Sequence, residues 1–140
     1  MSKYWNFRTI LDLRPETDNQ CVAIKVKSEE RCRISGFAGK NNLRKAGTIL
    51  DTMDRTKSVS ECRTYLNDLA FCTMCGNPHR NMQTVIDDRV RRWNRTISLH
   101  IASKETEDRR SETLRAKSLL GSVTDGVSGS YLTFFSIIIC

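Results

Sequence analysis

No apolar run in this chain is long enough to cross a bilayer, which takes about twenty residues. The terminal YLTFFSIIIC has ten. The N-terminal MSKYWNFRTILDLRPETD is broken by Lys3, Arg8, Asp12 and Arg14, so it lacks the continuous apolar core of a secretory signal. These absences predict an intracellular protein, nuclear or cytoplasmic, not secreted and with no membrane partner. The sequon Asn94-Arg95-Thr96 then carries no glycosylation meaning. No internal repeat is found. Apolar residues are also scarce, at 39% of 140 residues. That is enough for one domain, with exposed helices and loose ends.

Positive charge is in excess. The net charge is +7 and the pI about 9.3. This favours an acidic partner such as nucleic acid, although net charge speaks to association and not to fold.

The residue pattern predicts a mostly α domain with a short N-terminal β-hairpin. Residues 1–19 read as a poorly patterned leader, although Trp5, Phe7, Ile10, Leu11 and Leu13 could dock on the body. In CVAIKVKSEERCRI, residues 21–34, Val22, Ile24 and Val26 alternate with Ala23 and Lys25, the period of a half-buried strand. Ser28-Glu29-Glu30 turns the chain into a short return strand. A helix capped by Asn41 or Asn42 follows, with Leu43, Ala46, Leu50 and Met53 on one face. Ser58-Val59-Ser60-Glu61 fits a capping box. The helix it opens carries Cys62, Leu66, Leu69 and Ala70 and stops near Cys75-Gly76. Asn77-Pro78 reads as the cap and first position of a third helix, with a stripe of Met82, Val85, Ile86, Val90 and Trp93. Residues 98–120 are rich in both charges and fit a solvated helix. Residues 121–140 hold one charged residue, Asp125, and read as a disordered tail or a truncation artefact, as from a truncated gene product or read-through intron.

Six cysteines remain to be explained. In a reducing compartment they are ligands or core thiols rather than disulfides. The stretch FCTMCGNPHR places Cys75 four residues before His79 across a Gly-Asn-Pro turn, which supplies half of a zinc site. Cys21 and Cys32 on the hairpin can supply the other half. The resulting C-x10-C-x42-C-x3-H pattern makes a Cys3His set for structural Zn2+. Cys72 continues the apolar face of its own helix and is left out, although it forms a C-x2-C pair with Cys75. Cys62 reads as core, Cys140 is unplaced, and His100 reads as surface. Two other readings stay open. The thiols are core sulfur beside an exposed histidine, or Cys72 and Cys75 are a redox pair. The latter fits poorly, since such a pair belongs at a helix start. No nucleophile with a base and an orienting group stands out, so no enzyme is expected.

CVAIKVKSEERC, AGTILDTM and LAFCTMCGNPHR together resemble the segment that precedes the GIY-YIG-like, phage-type DNA-binding domain of many fungal proteins. That segment reads C-V-G-I…R-C-R, a helix around I-L-D, and a leucine-rich run ending in C-x3-H. The resemblance covers about residues 20–95. It puts Cys21, Cys32, Cys75 and His79 on the family's cysteine and histidine positions and Cys72 on an apolar one. No match to the downstream domain follows residue 97. The resemblance implies a zinc-stabilised, non-catalytic accessory module of a DNA-associated protein. Arg80, Arg89, Arg91, Arg92 and Arg95 are the candidate phosphate contacts. Against them, Asp87 and Asp88 sit among the arginines, and no aromatic residues interleave for base stacking. A metal-free helical domain that binds a protein partner is the alternative.

Overall fold

A computed structural model describes residues 5–25, 27–34, 39–56 and 58–121. Val26 of the expected strand, Gly36 and the tail beyond Gly121 lie outside the described residues. The chain divides into two compact units, Met1–Lys104 and Glu105–Cys140. The described residues are mostly helical.

The supposed leader contributes to the core. Asn6 starts a short helix, α1 (Phe7–Ile10), its side chain accepting from the Thr9 N–H at 3.1 Å. Asp12 then turns the chain through a left-handed conformation, φ 48°. Phe7, Leu11 and Leu13 are therefore buried without following one period. Each such burial is worth roughly 1.5–3 kcal/mol. Trp5 stacks on Phe7 with ring centroids 5.5 Å apart.

These residues dock on α2 (Lys40–Arg55), which buries Ala46, Ile49, Leu50 and Met53 at helical spacing. The Phe7 N–H donates to Asp54 at 2.8 Å. The Arg8 guanidinium donates to Asp51 at 2.8 Å and to Glu16. Gly47 makes room for this pairing, because a Cβ there would meet Glu16 Oε1 at 3.1 Å. The cap is Gly39 rather than Asn41 or Asn42, and it makes no side-chain bond. Thr56 stops the helix, its N–H and hydroxyl both donating to the Met53 carbonyl.

Ser58 caps α3 (Val59–Thr64) by accepting from the Glu61 N–H at 3.2 Å. The helix does not continue unbroken. It breaks at Tyr65 and resumes as α4 (Leu66–Thr73), so that Cys62, Leu66, Leu69 and Ala70 all reach the core against α2.

The expected β-hairpin does not form strands. The described residues 21–34 show an isolated antiparallel bridge between Ile24 and Arg31. Bonds of one direction are present: Cys21 N–H to Ile34, Cys32 N–H to Ala23, and Lys25 N–H to Glu30. A regular antiparallel ladder also needs their reciprocals. Those groups go elsewhere. The Cys21 carbonyl accepts from Arg31 Nε at 3.0 Å, and the Cys32 carbonyl from Gln20 Nε2 at 2.7 Å. The Val22 N–H donates to the Thr73 carbonyl.

The third helix also begins later than expected. His79–Asn81 form a single 3₁₀ turn, and α5 (Gln83–Gly121) follows. Asn77 and Pro78 are thus part of the turn and not of the helix. Ile86, Trp93 and Ile97 are buried, Val85, Val90 and Ile101 half-buried, and Met82 exposed. In the second unit, residues 105–121 are helical and exposed. Among the described residues no helix is long and apolar enough to cross a membrane.

Candidate metal centre

The ligand atoms of Cys21, Cys32, Cys75 and His79 all lie within 4.8 Å of one another. The three cysteines are buried and His79 is half-buried. His79 turns Nδ1 inward, 3.3 Å from Cys75 Sγ and 3.5 Å from Cys21 Sγ. In a tetrahedron with zinc bonds of about 2.3 Å to sulfur and 2.0–2.1 Å to nitrogen, the S–N edge is roughly 3.6 Å. The donors are therefore spaced to hold an ion of that size. Cys72 is not in the group. It is buried in the core, as is Cys62, whose thiol lies 2.6 Å from the Thr56 hydroxyl.

Local bonds explain why residues so distant in sequence meet. The Val22 N–H joins the cysteine loop to the end of α4 through Thr73. Two residues on, the Cys75 N–H donates to Cys21 Sγ at 3.2 Å. Arg31 clamps the loop from the other side, donating to the Cys21 and Gln20 carbonyls and to Asp18 at 2.6 Å. Burial raises the Asp18 carboxyl, but the Gln20 N–H and the Arg31 guanidinium outweigh it and hold the group below its usual range. The Arg80 N–H donates to the Cys75 carbonyl at 3.1 Å, which folds the turn and returns His79 toward Cys75.

The electrostatics require a cation for the thiolate form. Burial pushes the Cys21 thiol up to about 12, and the neighbouring Cys75 thiol adds to this against the Cys75 and Ala23 N–H groups. A bound dication reverses that balance and deprotonates coordinating thiols.

The arginine row is largely engaged. Arg80 donates to the Phe71 carbonyl at 3.1 Å and the Met74 carbonyl at 2.9 Å, with its guanidinium 5.1 Å from the Phe71 ring centroid. It thereby satisfies carbonyls at the C-terminal end of α4. Arg89 is half-buried over Trp93, 4.9 Å from the ring centroid. Arg91 and Arg92 both pair with Asp88, at 3.8 and 2.9 Å. Arg95 is exposed. His100, expected at the surface, is half-buried. A separate open groove of about 450 Å³ lies over α2, lined by Arg8, Glu16, Lys40, Arg44 and Asp51, and includes none of the four clustered donors.

Sequence reasoning missed Arg31 and the inward role of Arg80. The adjacency of Arg31 to Cys32 and of Arg80 to His79 was visible. Nothing in the spacing showed that their donors turn back onto the ligand-bearing backbone. The chain matches no protein-family model, no curated protein and no solved structure.

Proposed function

We propose that the chain is a non-catalytic binding module whose fold is clipped by one structural zinc ion, held by Cys21, Cys32, Cys75 and His79. The convergence of one nitrogen and three sulfur donors within 4.8 Å is the observation that carries this reading. Thiolates favour soft or borderline ions over calcium and magnesium. Four protein donors complete a tetrahedron and leave no position for a reactive water, which fits a structural role. Native mass spectrometry of the whole chain tests it. One zinc per chain, absent from Cys75→Ser, is the expected result; a folded chain with no metal after zinc loading refutes it.

For the partner, the resemblance of residues 20–95 and the net charge of +7 favour a DNA-associated role. Arg91, Arg92 and Arg95 are then the available phosphate contacts, since Arg80 and Arg89 are turned to the protein. Duplex binding that weakens steeply with salt is expected. A partner captured equally well after nuclease treatment would favour instead the protein-binding alternative. That alternative draws on exposed Leu99 and Leu114 of α5.

A further inference from the structure

Arg89 carries a charge that its printed surroundings do not neutralise. Its Nε is buried and has no hydrogen-bond partner. The Trp93 face beneath it attracts a cation but offers no acceptor. Asp88, its neighbour in sequence, is held by Arg91 and Arg92. Burial draws the Arg89 guanidinium down to about 10, with Arg31 and Arg92 adding to this and Asp88 and Cys21 opposing it. The group is therefore still cationic at neutral pH, and Cys21 lies within its field. A desolvated cation without an anion is costly.

The metal centre supplies the missing sign only when filled. With protonated thiols it is neutral. Three thiolates and one neutral imidazole around a dication carry a net charge of −1. That charge is also buried and needs an answer.

We propose that Arg89 is the counter-cation of the filled metal centre, a positioning residue that neutralises the single negative charge of a divalent ion held by three thiolates and His79. This rests on the metal reading above and narrows it. A monovalent ion in the same donors leaves −2, which one guanidinium does not balance. Arg89 accordingly belongs to the metal centre and not to a phosphate-binding row.

The test measures zinc affinity of the full chain by competition with a chromophoric chelator. Wild type, Arg89→Lys and Arg89→Met are compared, each also in a Cys32→His background. Two thiolates and two imidazoles around a dication carry no net charge. Arg89→Met is expected to weaken zinc binding about tenfold in the native donor set, equal to about 1.4 kcal/mol. Arg89→Lys should lose less than threefold, and Arg89→Met should lose nothing in the Cys32→His background. Equal losses in the two backgrounds would make Arg89 a packing residue on Trp93 and overturn the proposal. So would unchanged affinity, or parity between Lys and Met, and that last contrast decides alone where Cys32→His binds no zinc. Arg89→Gln replaces Arg89→Met where the latter does not fold. A wild-type chain that binds no zinc fails the metal reading itself, whereas a zinc-binding wild type unaffected by Arg89→Met fails only the counter-cation.

Discussion

Removing the metal should cost the first unit a large part of its stability. The clip joins Cys21 and Cys32 to Cys75 and His79, so its longest internal link spans the C-x42-C gap. Treated as a cross-link closing a loop of roughly forty residues, it withholds about 4 kcal/mol of chain entropy from the unfolded state. Loss of the metal also returns three buried thiols to their neutral form, so the remaining core must hold the loop through Val22, Arg31 and Gln20 alone. For a domain near 100 residues, each 1 kcal/mol moves Tm by about 4–8 °C, so the expected fall is roughly 15–30 °C. Thermal melts followed by circular dichroism, with and without a strong chelator, would measure it, with metal content counted in parallel. Cys75→Ser should melt with the chelated wild type and be indifferent to chelator. Coincident melting of metal-loaded and metal-free wild type would refute the clip as a stabilising element. Cys75→Ser melting with the loaded wild type would remove Cys75 from it.

Further outcomes follow from individual residues. Cys72→Ser should retain one zinc per chain and chelator sensitivity while losing some core stability, since Cys72 is buried outside the cluster; loss of the metal would exchange the roles of Cys72 and Cys75. Nitrogen-15 NMR of the zinc-loaded chain should show His79 bound through Nδ1 with the proton on Nε2, because Nδ1 faces the sulfurs; a spectrum with the metal on Nε2 contradicts the geometry. The hydrogen bond from Arg8 holds the Glu16 carboxyl below its ordinary 4.5. Its contribution to stability is therefore full above that pH and is lost as pH falls through the lower folded-state value. Urea midpoints measured across acid pH should fall less steeply in Glu16→Gln, and identical slopes would show that the pair does not contribute. Gly47→Ala should raise stability by up to about 1 kcal/mol, the helix-propensity gain, because the only close atom at 3.1 Å is the tip of a partly exposed glutamate that can move. A lower urea midpoint would mean that the Glu16 contact outweighs propensity.

The sequence by itself determined the helices with strong periodicity and the identity of the clustered donors. Ala46, Leu50 and Met53 repeat at helical spacing, and a Ser-x-x-Glu start is a local signal, so α2 and the cap of α3 were readable without any tertiary information. The C-x3-H pair could be read for the same reason, since four residues around a Gly-Asn-Pro turn set their own separation. Tertiary structure decided the rest. Alternation in CVAIKVK predicted strands, but Arg31, Gln20 and the Thr73 carbonyl took the backbone groups a ladder needs. The 3₁₀ turn at His79 replaced a helix start, where Cys75 accepts from the Arg80 N–H. Phe7, Leu11 and Leu13 showed no single period because Asp12 turns the chain between them. The arginines read as a basic row, but only packing determined that Arg80 and Arg89 face the protein. Local spacing fixes local separations; where a backbone group or a charge finds its partner depends on residues dozens of positions away, and folding alone brings those together.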